Sequence, residues 1–423
     1  MTTSLRNCRI CGNSNLIKVL DLGEQALTGV FPKTEDQPIT KGPLQLLKCH
    51  DERGRDVCGL LQLAHSYDLN EMYGENYGYR SGLNPSMVTH LQCKVSRILD
   101  IARLLPGDLI LDIGSNDSTT LQAYLPGRYR LVGIDPTGVK FRQHYPPHIE
   151  LIPDFFSIAK FRERFGEQKA KVVTSFSMFY DLEDPMGFMR DVRDILHEDG
   201  LWVFEQSYMP TMLDRNAYDT VCHEHLEYYG MRQIKWMADK IGFRIVDVEF
   251  NEVNGGSFSV SVARTGSPYP PFPDLDALLD REERLGLGGL VLYRAFAERV
   301  EITRRDFLSF LNQARNEGKR VAALGASTKG NVVLQYCGIT RDSLECIGEI
   351  NAEKFGRLTP GTLIPIIAED EILRSKPDYL VVLPWHFRQY FEQETKYAGR
   401  CLIFPLPNPE IVVTKSQQMM LTK

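Results

Sequence analysis

The stretch Leu109-Ile-Leu-Asp-Ile-Gly-Ser-Asn-Asp-Ser118, followed by Leu131-Val-Gly-Ile-Asp-Pro136, decides the fold of this chain. The apolar run Leu109 to Ile113 has the pattern of a parallel strand buried on both faces. Gly114-Ser-Asn-Asp117 reads as a tight turn where backbone can approach a ligand, with a helix expected from Thr119 to Tyr124. The next strand ends about twenty residues on at Asp135, where a carboxylate can accept both hydroxyls of a ribose, as an acid does at that place in dinucleotide folds. The spacing does not satisfy Gly-x-Gly-x-x-Gly, so a nucleoside without phosphates is favoured over a pyrophosphate. S-adenosylmethionine fits that description. Its expected contacts are Gly114, Asn116, Asp117 and Asp135, with Asp154 and Phe155 beside the adenine after the strand-like Ile149 to Ile152.

Outward from this core, strands and helices alternate from Met87 to about Val262. Lys171 to Phe176 reads as a strand, Pro185 to Leu196 as a helix and Leu201 to Glu205 as a strand. Phe243 to Glu249 and Gly256 to Ala263 read as a closing antiparallel pair. The alternation predicts an α/β fold with a doubly wound sheet. Pro268 to Pro273 breaks it, and Arg281 to Gln313 reads as a long helical region interrupted at Gly286 to Gly289. A second Rossmann-like unit begins at Arg320-Val-Ala-Ala-Leu-Gly-Ala-Ser-Thr-Lys-Gly330 and continues through Leu344 to Glu349 and Tyr379 to Leu383. The expected organisation is a small module over 1–70, a nucleoside-binding domain over 71–267, a helical connector over 268–315 and a second α/β domain over 316–423. A chain of 423 residues is long enough for several such cores.

The formal charge is −6 and no long Lys/Arg run occurs, so a nucleic-acid backbone or an anionic membrane is not an expected partner. No stretch approaches the ~18 to 20 apolar residues of a membrane helix, and no apolar signal segment opens the chain, which suggests a cytoplasmic protein. Four of the nine cysteines, Cys8, Cys11, Cys49 and Cys58, fall in the first sixty residues. Together they offer four sulfurs for a structural, tetrahedral zinc site with no open position for chemistry. The spacing from Cys49 to Cys58 is wider than usual, and His50 is an alternative ligand.

Tyr218-Asp-Thr-Val-Cys-His-Glu-His-Leu-Glu-Tyr-Tyr229 concentrates histidines, acids and tyrosines in a dozen residues, which favours proton transfer. His223 and His225 would share a side in a strand and diverge in a helix. Glu224 and Glu227 are placed to orient an imidazole. Asn254-Gly-Gly-Ser257 permits close approach to a ligand, as a plain β-bulge would. Gly325 to Gly330 offers amides at a helix start with the Lys329 ammonium, a combination suited to the diphosphate of a nucleotide-linked substrate. Asn331 and the Arg357 guanidinium are further candidate ligands for it. The Tyr73 to Asn84 connector carries too many tyrosines for an idle linker and is expected over the site.

Taken in order, Cys8-x-x-Cys11, Leu111-Asp-Ile-Gly-Ser-Asn-Asp117, His223-Glu-His225, Asn254-Gly-Gly-Ser257 and Gly325-Ala-Ser-Thr-Lys-Gly-Asn331 with Pro360-Gly361 resemble the three-domain sugar C-methyltransferases of nucleotide-linked keto-deoxysugars. The resemblance runs over nearly the whole chain. It implies a zinc-bearing N-terminal domain, a central class I S-adenosylmethionine methyltransferase domain, and a C-terminal domain closing over a nucleotide sugar, in a monomer or homodimer. It further implies His225 as the base that forms an enolate, Glu224 positioning it, and Tyr79 or Tyr77 contacting the sugar. The chain departs from the family's pattern at Cys222, where Tyr is usual, at Asp181, where His is often found, and at His386, where Asn is usual. Cys222 and Asp181 border the reacting sugar in the family. These departures open a second reading, in which both ligands bind but the sugar is isomerised, cyclised or loses a group without methylation.

Overall fold

A computed structural model describes residues 3–51, 57–73 and 79–415. Tyr77, with the middle of the tyrosine-rich connector, lies outside the described residues.

The central sheet has seven strands, in the order Phe243–Asn251, Ser257–Arg264, Leu196–Ser207, Ala170–Phe176, Leu109–Ile113, Arg130–Ile134, Ile149–Ile152. The last five run parallel and Ser257–Arg264 is antiparallel to both neighbours. Every residue of Leu109–Ile113 is buried, as both faces carry helices or loops. The buried Asp112 in it is satisfied from the neighbouring strand, Thr174 donating to its Oδ1 at 2.5 Å. Chain order steps away from Leu109–Ile113 to one side and returns on the other, which creates the crevice where ligands of such sheets bind.

The helix Pro85–Ile101 starts with Pro85 at its first position and Asn84 accepting from the Ser86 amide. Its Leu91, Val95 and Ile98 are buried at helical spacing, Val95 and Ile98 against the sheet and Leu91 at the edge of that crevice. The helix expected from Thr119 to Tyr124 is instead a single 3-10 turn, Leu121–Ala123. Ser118 at φ 64 delays its start and Pro126 ends it early, leaving room for one turn.

The N-terminal sheet pairs Leu16–Ala26, Lys41–Cys49 and Leu61–Leu63, and its fourth strand is Glu227–Tyr228. The histidine-rich segment is thereby stitched to the cysteine module. Beyond the central domain, the helices Leu275–Arg284 and Val291–Asn316 flank the Gly286 to Gly289 break. The C-terminal sheet runs Ile366–Ala368, Ile347–Glu349, Val321–Leu324, Tyr379–Val382, Cys401–Phe404, Glu410–Val413, with only the last strand antiparallel. One apolar core joins Leu27 and Leu44 of the first module to Phe296, Leu311 and Val333, so the two ends of the chain fold against each other. Among the described residues no helix is long and apolar enough to cross a membrane.

Candidate active site and zinc centre

The four thiols Cys8, Cys11, Cys49 and Cys58 lie within 4.8 Å of one another. Cys8 and Cys58 sulfurs are 3.4 Å apart and Cys11 and Cys49 sulfurs 3.6 Å apart. A tetrahedral zinc with ~2.3 Å bonds separates its sulfurs by about 3.8 Å, so the donors fit zinc. The antiparallel pairing of Lys41–Cys49 with Leu61–Leu63, and the Cys49 amide donating to Leu60 O at 2.7 Å, bring Cys49 back beside Cys58. His50 is not part of the cluster. Asn13 reaches Cys49 Sγ at 3.4 Å, and the buried Lys48 ammonium points to the Gly59 carbonyl beside Cys58. Both place positive charge density next to thiolates.

A cleft of about 490 Å³ opens over the carboxyl ends of Leu109–Ile113, Arg130–Ile134 and Ala170–Phe176 and is closed by residues of the C-terminal domain. At one end Gly114 turns at φ 75, and a β-carbon there would sit 3.1 Å from Met178 Cγ. Asn116 follows at φ 49, which sends its amide to Asp135 Oδ2 at 2.8 Å. The Thr137 amide donates to Asp135 Oδ1 at 2.6 Å. Asp135 therefore braces the turn from the neighbouring strand while lining the cleft, and burial raises its carboxyl above the usual range. Asp112, which sequence reasoning did not select, lines the same end, its carboxyl pushed up by burial to about 7. Replacing Asp135 by alanine removes charge-assisted bonds of about 1.5–3 kcal/mol each, so affinity for S-adenosylmethionine should fall about tenfold or more in titration calorimetry. Unchanged affinity would remove Asp135 from the cofactor site.

Three expected contacts at this end divide. Phe155 lines the cleft. Asp154 is half exposed and paired with Lys160, outside it. Asp117 accepts from the Gly82 amide at 3.0 Å and lines a neighbouring pocket of about 400 Å³ with Arg80, Gln122 and His144. Its carboxylate holds the connector over the cleft rather than facing the ligand.

The other end is built from two segments joined by Leu226 N–H donating to Tyr180 O at 2.8 Å. Residues 222 to 225 form a turn, neither strand nor helix, with the His225 amide donating to Cys222 O at 3.2 Å. The turn sends the two histidines apart. His223 is fully buried against Tyr67, ring centroids 4.6 Å apart, with Nδ1 3.5 Å from Thr28 Oγ1, so it belongs to the wall of the module and not to the cleft. His225 lines the cleft, edge-on to Tyr180 at 4.4 Å. Its Nδ1 is 2.8 Å from Thr220 O, and a carbonyl only accepts, so Nδ1 carries the hydrogen and Nε2 the lone pair. Burial, and then the nearby Lys329 charge, push the imidazole down to about 3, leaving it neutral at pH 7.

Glu224 also lines the cleft but is held by Thr28, whose hydroxyl donates to Oε2 at 3.3 Å. The Thr220 carbonyl, rather than Glu224, orients His225. A β-carbon on Gly29 would meet Glu224 Oε1 at 2.5 Å, so any larger residue there would push the carboxylate out of this position. Asp181 accepts from the Tyr73 hydroxyl at 2.8 Å, and burial with Glu224 nearby raises its carboxyl well above the usual range. Burial and the same acids raise the Cys222 thiol, so it is a neutral wall residue rather than a nucleophile.

From the C-terminal domain come Ser327, Thr328, Lys329 and His386. Ser327 caps the helix Thr328–Tyr336, accepting from the Gly330 amide at 3.0 Å, and this aims Lys329 across the cleft to Asn254 O at 2.8 Å. Asn254 takes φ 56 to present that carbonyl. Ser257 donates to Val253 O at 2.8 Å, closing the loop from behind without facing the cleft. Asn331 and Arg357 also turn away: Asn331 donates to Thr28 O at 2.7 Å and Arg357 to Phe31 O at 3.1 Å, clamping the N-terminal module to this domain. Tyr79 stands at the exposed rim. Sequence reading also missed Asp219, fully buried with Trp385 donating to it at 2.8 Å, and the Thr220 carbonyl. Both lie in the dense 218–229 segment, where only the titratable residues nearest the histidines attracted notice.

Three family models match in sequence along the chain: "Putative zinc binding domain" over residues 8–73, "Methyltransferase domain" over 87–248 and "C-methyltransferase C-terminal domain" over 252–407. The C-methyltransferase NovU of Streptomyces niveus is 28% identical over 416 residues, 97% of each chain. Among solved structures, an S-adenosylmethionine-dependent methyltransferase from Clostridium acetobutylicum aligns at TM-score 0.32 and 14% identity, over 42% of this chain and 91% of that one. The magnesium protoporphyrin IX methyltransferase of Synechocystis aligns at TM-score 0.31 and 14% identity, over 42% and 81%.

Proposed function

We propose that this chain, which belongs to the zinc-binding, three-domain C-methyltransferases, methylates the carbon beside the ketone of a nucleotide-linked 4-keto-deoxysugar, with His225 as the base. The observation that carries the reading is the Thr220 carbonyl on His225 Nδ1, which leaves a neutral Nε2 lone pair in the cleft that holds Asn116 and Asp135. A C–H beside a ketone is acidic enough for a positioned imidazole to remove. Bound S-adenosylmethionine supplies an electrophilic methyl and leaves as S-adenosylhomocysteine. Gly114, Asn116, Asp135 and Phe155 hold it at one end of the cleft. The sugar lies at the other end, among Asp181, Cys222, Glu224 and Asn254, while Tyr79, whose carbonyl accepts from the Asn116 side-chain amide at 3.2 Å, stands at the rim on the cofactor side. Orientation of both reactants in one enclosed space removes much of the entropic barrier.

Asp181 Oδ1 is buried without a partner among the described residues, and a sugar hydroxyl donating to it would satisfy it. With Cys222 beside it, this wall differs in shape and polarity from one built of Tyr and His, which points to a distinct sugar. Turnover with a panel of nucleotide-linked 4-keto-deoxysugars should yield one S-adenosylhomocysteine per product. Product formed without S-adenosylhomocysteine would favour the non-methylating reading instead.

A further inference from the structure

We propose that Lys329 is a catalytic residue that holds the enolate oxygen, rather than a ligand of the nucleotide's diphosphate; this rests on the reading of the cleft as a site of enolate chemistry. Lys329 is the only lysine or arginine lining the cleft among the described residues. Its ammonium is anchored by one hydrogen bond, to Asn254 O at 2.8 Å, which leaves two N–H donors for a ligand. The anchor sits at the reacting end. Lys329 acts electrostatically on both His225 and His386, the two imidazoles of the cleft. Its counter-charge is behind it: Asp219 lies buried with Oδ2 bonded to Trp385, Oδ1 unpartnered, and its charge coupled to Lys329. The remaining cation offered by sequence for phosphates, Arg357, is committed to Phe31 O and Glu353 O.

The placement matches the charge that develops. When His225 Nε2 takes the proton, the C–H pair becomes the C=C bond and the carbonyl π pair moves onto oxygen. An ammonium beside that oxygen stabilises the new charge more than the ketone it came from. The oxygen returns its pair as the C–C bond forms and the C–S pair departs with S-adenosylhomocysteine. The same cation disfavours a proton on His225, so base and electrophile are coupled. The other ionisable groups lining the cleft around His225 are Tyr180, packed edge-on to it, Glu224 and Cys222 on its own turn, Asp181 and His386.

The test compares Lys329→Met and Lys329→Arg with wild type, using whichever nucleotide-4-keto-deoxysugar supports turnover. Lys329→Met should lower kcat about 100-fold or more with KM changed less than about threefold. It should equally slow deuterium wash-in beside the ketone when S-adenosylhomocysteine replaces the methyl donor, and move the acid limb of the pH profile upward. Lys329→Arg should retain most of the exchange rate. Retained binding of S-adenosylhomocysteine by titration calorimetry establishes that the Met variant is folded; if it is not, Lys329→Gln takes its place. A rise in KM with kcat and the acid limb unmoved would overturn the proposal and return Lys329 to the diphosphate. His225→Ala run in parallel separates the two readings, since full exchange in that variant would fault the base and not the lysine.

Discussion

Replacing His225 by alanine should lower kcat for methyl transfer by about 10²- to 10⁴-fold, the usual contribution of a positioned general base. Affinity for S-adenosylmethionine should stay within about threefold, because the groups at the Asn116 and Asp135 end do not touch the imidazole. The pH profile of the wild type carries the same argument. An ordinary imidazole protonates near 6.5, but burial and Lys329 hold His225 down to about 3. The base therefore stays unprotonated as pH falls from about 8 to about 6, and the rate should not decline through His225 in that window. An acid limb centred near 6.5, or a His225→Ala enzyme of wild-type rate, would contradict the assignment. Calorimetry with S-adenosylmethionine alongside the kinetics separates lost chemistry from lost binding.

Replacing Cys58 by serine should release zinc and unfold the N-terminal module. In small metal-centred modules the metal's binding free energy is folding free energy, on the order of 10 kcal/mol or more. The loss will not stay local. Glu227–Tyr228 is a strand of that module's sheet, and Thr28 and Gly29 of the module brace Glu224 beside His225. Metal analysis should find about one zinc per wild-type chain and little in the variant, with a markedly lower melting temperature and loss of turnover. Cys93→Ser, at an exposed cysteine outside the cluster, should keep both zinc and stability. A zinc-free wild-type chain that melts normally would remove the metal from the fold.

The fold was legible where a single physical pattern dominates. Leu109 to Ile113 is buried throughout and Ala170 to Phe176 almost so, and their short, mainly apolar runs announce parallel strands. The thiol cluster was legible because sulfur pairs are rare, although the strand pairing that brings Cys49 back beside Cys58 was not. The site was legible only in part. Asn331, Arg357 and Ser257 looked like ligands because polar residues near glycine turns suit anions. In the folded chain the module spanning Thr28 to Phe31 takes up the first two and Val253 O the third. The first two contacts join residues 303 and 326 positions apart, which no local pattern encodes. His223 and His225 illustrate the same limit. Their spacing admits a strand or a helix, and the tertiary pull of Glu227–Tyr228 into another sheet makes a turn instead. Backbone carbonyls such as Thr220 O carry no side-chain signature at all.

The central claim is that a carbon acid and a methyl donor meet in one cleft over His225. Turnover of methyl-labelled S-adenosylmethionine with nucleotide-linked 4-keto-deoxysugars, read by carbon NMR of the product, tests it most directly. Label should appear on the ring carbon adjacent to the ketone. Label on oxygen or nitrogen, or none despite tight binding of both ligands, would contradict it.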